Sequence, residues 1–432
     1  MNRFLICKTF FYFFKPCRNI ARRNKLLVMV ARGFSNTAFQ ILMQQLQHKP
    51  IHYRIAAGIL FFNQGMVFSS WATRIPDFKT SIGLSDAGLG SVLFALPMGQ
   101  ISVMFLSGWL VAKFSSVKVM RIAGFLYPAM LFSLLLADSQ WSLFCCLFFF
   151  GISANLTNIS INTQAIDVER IYGRSVMASF HGLWSFAGFC GGVLSAVLVA
   201  NHIGILAHYV AINIFTGACL LFALPRLVPA DIAPQTDADA KKSSRSFWWP
   251  TPFIMMLGAI TFANMSCEGI MFDWSVIYFR DVIGTAADIS RLGFISFMSA
   301  MATGRFVGDY FINKFGHMRV LKVSGMLVCA GMLGAIAYPT IYTGTIGFLL
   351  VGFGVSSVVP TCYSLAGRSR RMNASIALAV VSSIGFLGFL LFPPVIGFIA
   401  QASSLRLSFL LMAFVGVSVT LFAPKLRTHV EN

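Results

Sequence analysis

The chain has 432 residues, of which 57% are hydrophobic and only 11% charged, with a mean hydropathy of +0.76. Soluble domains carry about 25% charged residues, so this composition excludes an ordinary water-soluble fold and points to a membrane protein. The net charge of +19 does not mark a nucleic-acid binder, because the basic residues are scattered between apolar runs and do not cluster on one polar domain.

Residues 1–54 hold ten Lys or Arg and no acid. Within them Phe10, Phe11, Tyr12, Phe13 and Phe14 form an apolar patch between Lys8 and Lys15, too short to span a bilayer and without a small-residue cleavage site. Residues 1–50 therefore read as a basic N-terminal tail. It is either a surface anchor or a stretch upstream of a true start near Met43.

From Ile55 onward, apolar runs long enough to cross about 30 Å of hydrocarbon follow one another. They are predicted at 53–73, 88–112, 117–137, 141–165, 175–200, 207–225, 252–279, 292–312, 318–338, 344–366, 375–400 and 407–424. The connections test this count. Alternate ones, with the C-terminal tail, hold seventeen Lys or Arg, among them Lys113, Arg170, Lys314 and Arg368; the others hold only Arg74, Lys79, Arg280, Arg291 and Arg406. The positive-inside rule then puts both termini in the cytoplasm and the protein in the inner membrane.

Residues 227–250, with Asp237, Asp239, Lys241 and Lys242, read as a cytoplasmic linker between a first half (51–226) and a second (251–425), leaving 426–432 as a tail. The halves repeat one another at near-constant offset. Phe150-Gly151-Ile152-Ser153 recurs as Phe353-Gly354-Val355-Ser356, Phe186-Ala187-Gly188-Phe189 as Phe386-Leu387-Gly388-Phe389, and Gln64-Gly65 with Trp71 as Glu268-Gly269 with Trp274. Two such repeats are the build of a secondary transporter, with its site at the repeat interface.

The seven cysteines from Cys145 to Cys362 all lie in apolar runs, with no zinc spacing, so neither a metal nor another cofactor is expected. The chain also lacks a Walker-type phosphate loop, a His-Glu-x-x-His and a Gly-x-Ser-x-Gly, which argues against ATP drive and against an enzyme.

The 6+6 arrangement and the short basic turns at Gly108–Ser116 and Asp309–His317 resemble the major facilitator superfamily over about residues 50–425. Within the first turn stands Lys113, and within the second Lys314; both copies lack the acid that many members of the family carry there. Ser70-Trp71-Ala72-Thr73-Arg74-Ile75-Pro76, Ile161-Asn162 with Val168-Glu169-Arg170, His181-Gly182, Glu268-Gly269 with Asp273-Trp274, and Gly304-Arg305-Phe306 are similar to a narrower branch, the YbjJ-like inner-membrane proteins near the fucose permeases. Relatives there tend to carry acids in the fourth span, where this chain has Asn158 and Gln164.

Charged and amide side chains inside the apolar runs are the candidate site. Glu268 and Asp273 interrupt a run from Phe253 to Phe279 that is otherwise free of charge, and an acid at that depth is a functional-site signal. They are about 140° apart on a straight helix and at different depths, so Gly269 is expected to bend or unwind the helix between them. Glu268 is the leading proton carrier, with Asp273 and His181 as further proton-coupling candidates. Asn155, Asn158 and Asn162 fall on one helical face. Asn158 and Asn162, with Gln64, Trp71 and Trp274 at repeat-related places, are expected to bind substrate. Arg305 and Asp309, at helical ion-pair spacing, join Lys113 and Lys314 as gating or structural charges.

The expectation is an all-α membrane protein of twelve transmembrane helices in two pseudo-symmetric halves. It would work as a monomer in a lipid bilayer, moving a small polar organic solute of sugar-like chemistry by alternating access with protons as the coupling ion. A proton-driven exporter of amphipathic compounds is the alternative, and a non-transporting membrane sensor is the alternative of another class. No nucleic acid is expected as a partner.

Overall fold

The structure, a computed structural model, describes residues 50–173, 176–229, 251–367, 372 and 374–426; the side chains of a few of these, Asp309 and Lys425 among them, are outside the description. The basic tail before Pro50, linker residues 230–250 and the last six residues also lie outside the described residues. Among the described residues, twelve long helices carry the fold. We label them α1 (Pro50–Ala72), α2 (Ala95–Phe114), α3 (Ser116–Leu134), α4 (Gln140–Tyr172), α5 (Met177–Ala200), α6 (Ile205–Ala223), α7 (Pro252–Ile277), α8 (Leu292–Phe315), α9 (His317–Ala337), α10 (Ile341–Ser356), α11 (Ala374–Ala402) and α12 (Leu410–Lys425). No strand occurs among the described residues.

Among the described residues, eleven segments are long and apolar enough to cross a membrane, and α8 is a further 24-residue helix that carries Arg305, Asp309 and Lys314. Large apolar side chains such as Phe105, Trp141 and Tyr342 are more than 70% exposed, the arrangement expected where lipid covers the outer wall. The protein is a multi-pass membrane protein.

Prolines explain the interruptions. Pro97 lacks the N–H that would bond to the carbonyl of Leu93, and the second span breaks at Phe94 into the short helix Asp86–Leu93 and α2. Pro360 stands in the same relation to the break at Ser357, after which Val358–Gly367 continues α10. α4 runs to Tyr172, seven residues past its predicted end. There Glu169 accepts hydrogen bonds from the backbone N–H groups of Val176 and Met177 (2.8 and 3.1 Å) and so caps the start of α5.

Packing recurs between the first six helices and the last six. α2 and α3 both pack on α4 as α8 and α9 pack on α10, and α1 lies on α5 as α7 lies on α11. Two crossings join the halves: α5 on α8, and Asp86–Leu93 on α11. α5 meets α8 through small residues, with Gly182 on Phe306, Gly188 on Met298 and Gly192 on Ile295. At the second crossing the backbones themselves touch. A Cβ on Gly90 would lie 2.7 Å from the carbonyl oxygen of Pro393, and one on Gly397 2.9 Å from Cα of Gly90. Gly90→Leu is therefore expected to force the helices apart, lowering the melting temperature of the purified protein, whereas Leu at the open Gly334 leaves it unchanged. Equal melting temperatures for the two variants would contradict this packing.

Candidate functional site

Side chains from α1, α2, α3, α4, α5, α7, α8 and α11 line a cavity of about 240 Å³. Gln64, Trp71, Asn158, His181, Glu268, Asp273 and Arg305 all border it, together with Gln100, Tyr127 and a wall of rings that includes Phe61, Phe68, Trp184, Phe272, Phe386 and Phe389. Most candidates chosen from the sequence thus meet in one space. α7 remains an unbroken helix through Gly269, so the helix does not unwind there. The two acids nonetheless border the same cavity, because α7 is buried on nearly every side and residues well apart around its axis still face the interior. Gly269 serves a different purpose, giving room to the ring of Phe389, which a Cβ would approach to 2.9 Å.

Glu268 is 5% exposed and fully engaged. Its Oε1 accepts from the amide of Asn264 one turn earlier (2.8 Å), and its Oε2 accepts from Nη2 of Arg305 on α8 (3.4 Å). The other arm of Arg305 donates to Ser185 Oγ and reaches the carbonyl of His181 at 3.5 Å, both on α5, while the guanidinium stands 6.0 Å from the ring centre of Trp184. One arginine thus links α7 and α8 to α5, across the junction between the halves.

This corrects the expectation for Arg305. Among the described residues its ionic partner is Glu268 on the neighbouring α7, a contact between helices that spacing along α8 does not show. The side chain of Asp309 lies outside the described residues. Lys113 and Lys314 make no ion pair among those residues; they rest over the rings of Trp109 (4.5 Å) and Tyr310 (5.5 Å) near the helix ends.

Asp273 stands apart. It borders the cavity, yet no hydrogen bond or ion pair from the described residues reaches it. Trp71 borders the cavity with its Nε1–H unpartnered.

Two candidates are not at the cavity. Trp274 is fully buried in the apolar core, since the residue after Asp273 turns about 100° away from the cavity. Asn162 turns its amide onto the backbone and side-chain oxygens of Asn158 (2.8 and 3.2 Å), so of the asparagines on α4 only Asn158 reaches the space. Asn155 is buried, and Asn63 donates to the carbonyl of Thr216 (3.1 Å), tying α1 to α6. Gln164 bridges Ser116 and the backbone of Val228.

A second polar cluster closes the face that carries the α1–α2 and α7–α8 connections. Arg291 Nη2 meets Asp77 Oδ2 at 2.6 Å, Lys79 bridges Asp86 and Asp281 at 2.6 and 2.8 Å, and Arg280 donates to the Pro76 carbonyl and Thr80 Oγ1 at 2.8 and 2.9 Å. Arg74 adds bonds to His208 Nδ1 and the Ile203 carbonyl, with Asp77 at 3.7 Å. Burial lowers the pKa of Arg291 from its ordinary value, with Arg74 and Arg280 acting in the same direction, while Asp77 and Asp288 oppose the shift. Four of these contacts, Arg291 with Asp77, Lys79 with Asp281 and Arg280 with Pro76 and Thr80, join residues about 200 apart in sequence. Arg74 and Arg291 are buried beneath these contacts, whereas His181 toward the opposite face is exposed, so the first face is shut.

Comparison with known proteins agrees with this architecture. The sequence profile of the Major Facilitator Superfamily matches residues 55–376 and 296–431. An uncharacterised MFS-type transporter of Yersinia pestis is 32% identical over 366 residues, spanning 85% of this chain and 94% of that relative. Among solved structures, a D-xylose–proton symporter is similar with a TM-score of 0.69 at 15% identity, over 85% of this chain and 96% of its own. The nucleoside transporter NupG, in a mutant form, is similar with a TM-score of 0.68 at 14% identity, over 87% of this chain and 99% of its own. With a profile that matches most of its length and a relative that it covers almost end to end, the chain belongs to the major facilitator superfamily.

Proposed function

We propose that this transporter moves a small polar organic solute through the central cavity by alternating access, with protons as the coupling ion. The cavity is the observation that carries the reading: it joins amides, rings and an ionic pair where the halves meet. Gln64, Gln100 and Asn158 suit hydroxyl or carbonyl groups. A xylose symporter and a nucleoside transporter of the same fold are consistent with sugar-like chemistry. With both termini in the cytoplasm of an inner-membrane protein, the shut face points outward and the structure is closed to the outside.

Coupling acts through Glu268. When it carries a proton it no longer holds Arg305 by charge, and the link from α8 to α5 loosens as the halves rock. The other titratable or charged groups bordering this space are Asp273, His181, Tyr127 and Arg305 itself. The test is uptake of radiolabelled pentoses, hexoses and nucleosides into proteoliposomes with and without an imposed pH gradient. An inward proton gradient is expected to raise accumulation at least tenfold in the wild type and to have no effect in Glu268→Gln. Gradient-independent flux in the wild type would remove the proton from the mechanism.

The ring-rich wall favours a second reading, a proton-driven exporter of amphipathic compounds. In the same vesicles it predicts gradient-driven movement of hydrophobic dyes and none of sugars.

A further inference from the structure

The cavity holds two carboxylates but one guanidinium. Glu268 takes that guanidinium and the Asn264 amide, which leaves the Asp273 carboxylate bordering the cavity with no donor from the described residues. A carboxylate in an apolar span is costly unless something is brought to it, and what is brought is a proton, a hydroxyl or a cation.

Three observations favour the cation. First, the fold does not call for an acid at this register. The repeat-related residue, one before Trp71, is Ser70, whose hydroxyl is spent on the carbonyl of Met66 at 2.7 Å. Second, the remaining wall is built for a cation with an organic body. Phe272 meets Phe68 and Trp184 edge-on, and those two rings tilt against each other, with ring centres 5.2 to 5.7 Å apart; Trp71 and Phe389 border the same space. Third, the amides of Gln64, Gln100 and Asn158 already provide for hydroxyl groups, so an acid adds nothing a neutral polyol needs.

We propose that Asp273 anchors a protonated amine on the transported solute, so that the substrate class is a small amine-bearing polar molecule such as an amino sugar. The reading rests on the cavity being the solute site. In this arrangement the two acids divide the work: Glu268 pairs with Arg305 and carries the proton, and Asp273 pairs with the solute. The ammonium completes an ion pair that the protein leaves open, and removing that charge from the solute costs affinity even where every hydroxyl is kept.

The test uses the purified full-length protein and matched sugar series: glucose, glucosamine and N-acetylglucosamine, with the galactose and mannose counterparts. Ligand-dependent thermal stabilisation is titrated at neutral pH, where the amines are charged and the other members neutral. In at least one series the amine is expected to bind at least tenfold more tightly than both the hydroxyl and the N-acetyl compound. Asp273→Asn, checked for wild-type elution and melting temperature, is expected to bring that ratio to about one. Asp273→Glu, which keeps the charge, is expected to retain part of the preference even if Asp273→Asn does not fold.

Equal or tighter binding of the neutral members, binding by none of the amines, or an amine preference that survives in Asp273→Asn overturns the proposal. Loss of pH-gradient dependence in Asp273→Asn without any amine preference assigns the residue to the proton and also overturns it. The transport reading fails separately, if an amine that binds shows no flux into proteoliposomes.

Discussion

Arg305→Gln is expected to abolish solute uptake, with a fall of at least ~tenfold, and to lower the melting temperature of the purified protein. The guanidinium and the Glu268 carboxylate are both largely removed from solvent, with side-chain exposures of 14% and 7%. Breaking such a pair from one side costs about 3–5 kcal/mol, because the surviving charge is left without its partner. The loss also removes the bonds to Ser185 and the His181 carbonyl, so α8 is released from α5. Glu268→Gln combined with Arg305→Gln distinguishes a charge effect from lost packing. The double variant is expected to melt closer to the wild type than Arg305→Gln does, because no unpaired charge remains, yet to transport nothing. A double variant as unstable as the sum of its parts would mean that the two side chains do not act as a pair.

The second large effect is expected at Asp77. Its carboxylate meets Arg291 at 2.6 Å and Arg74 at 3.7 Å, so Asp77→Asn removes the one carboxylate that pairs with both buried guanidinia. The side chain of Asp77 is 30% exposed and solvent screens part of the effect, so a penalty of about 1.4 kcal/mol is a fair measure. That shifts the balance between closed and open forms of this face ~tenfold toward open. Spin labels at Ser81 and Thr285, one on each connection, read this as a population at longer distance that grows in Asp77→Asn. An unchanged distance distribution would show that the cluster does not hold the face shut.

Much of the fold could be read along the chain because each span announces itself within about twenty residues. Length, hydropathy and the alternation of basic connections are local properties, and they place every long helix; the ends depend on prolines such as Pro97 and caps such as Glu169. The cavity was legible in part for the same reason. A charge or amide in an apolar run stands out at once, as Glu268, Asp273, Gln64 and Asn158 do. What local spacing does not tell is which residue meets which across helices. Arg305 lies four residues from Asp309, and that spacing gave no hint of the partners it meets on α7 and α5. Asn264, four residues before Glu268, did carry a spacing signal. Ser185 carried none, being one serine among many on an apolar helix. The cluster of Asp77, Lys79, Asp281 and Arg291 was hidden for a related reason: it assembles from connections about 200 residues apart, whose charges each look like ordinary loop residues. Trp274 shows the opposite failure, where a repeat that holds in sequence suggests a role which the direction of the side chain denies.

The central claim is that the cavity is one solute site reached from one face at a time. It is tested most directly by labelling a cysteine at position 158, in a background without the native cysteines, with a membrane-impermeant maleimide added to right-side-out or to inverted vesicles. The resting protein is expected to react from the cytoplasmic face and to be protected by a transported solute, and Asp77→Asn to react from the outer face. Labelling from both faces at once in the resting protein, or no protection by any solute that is transported, would contradict it.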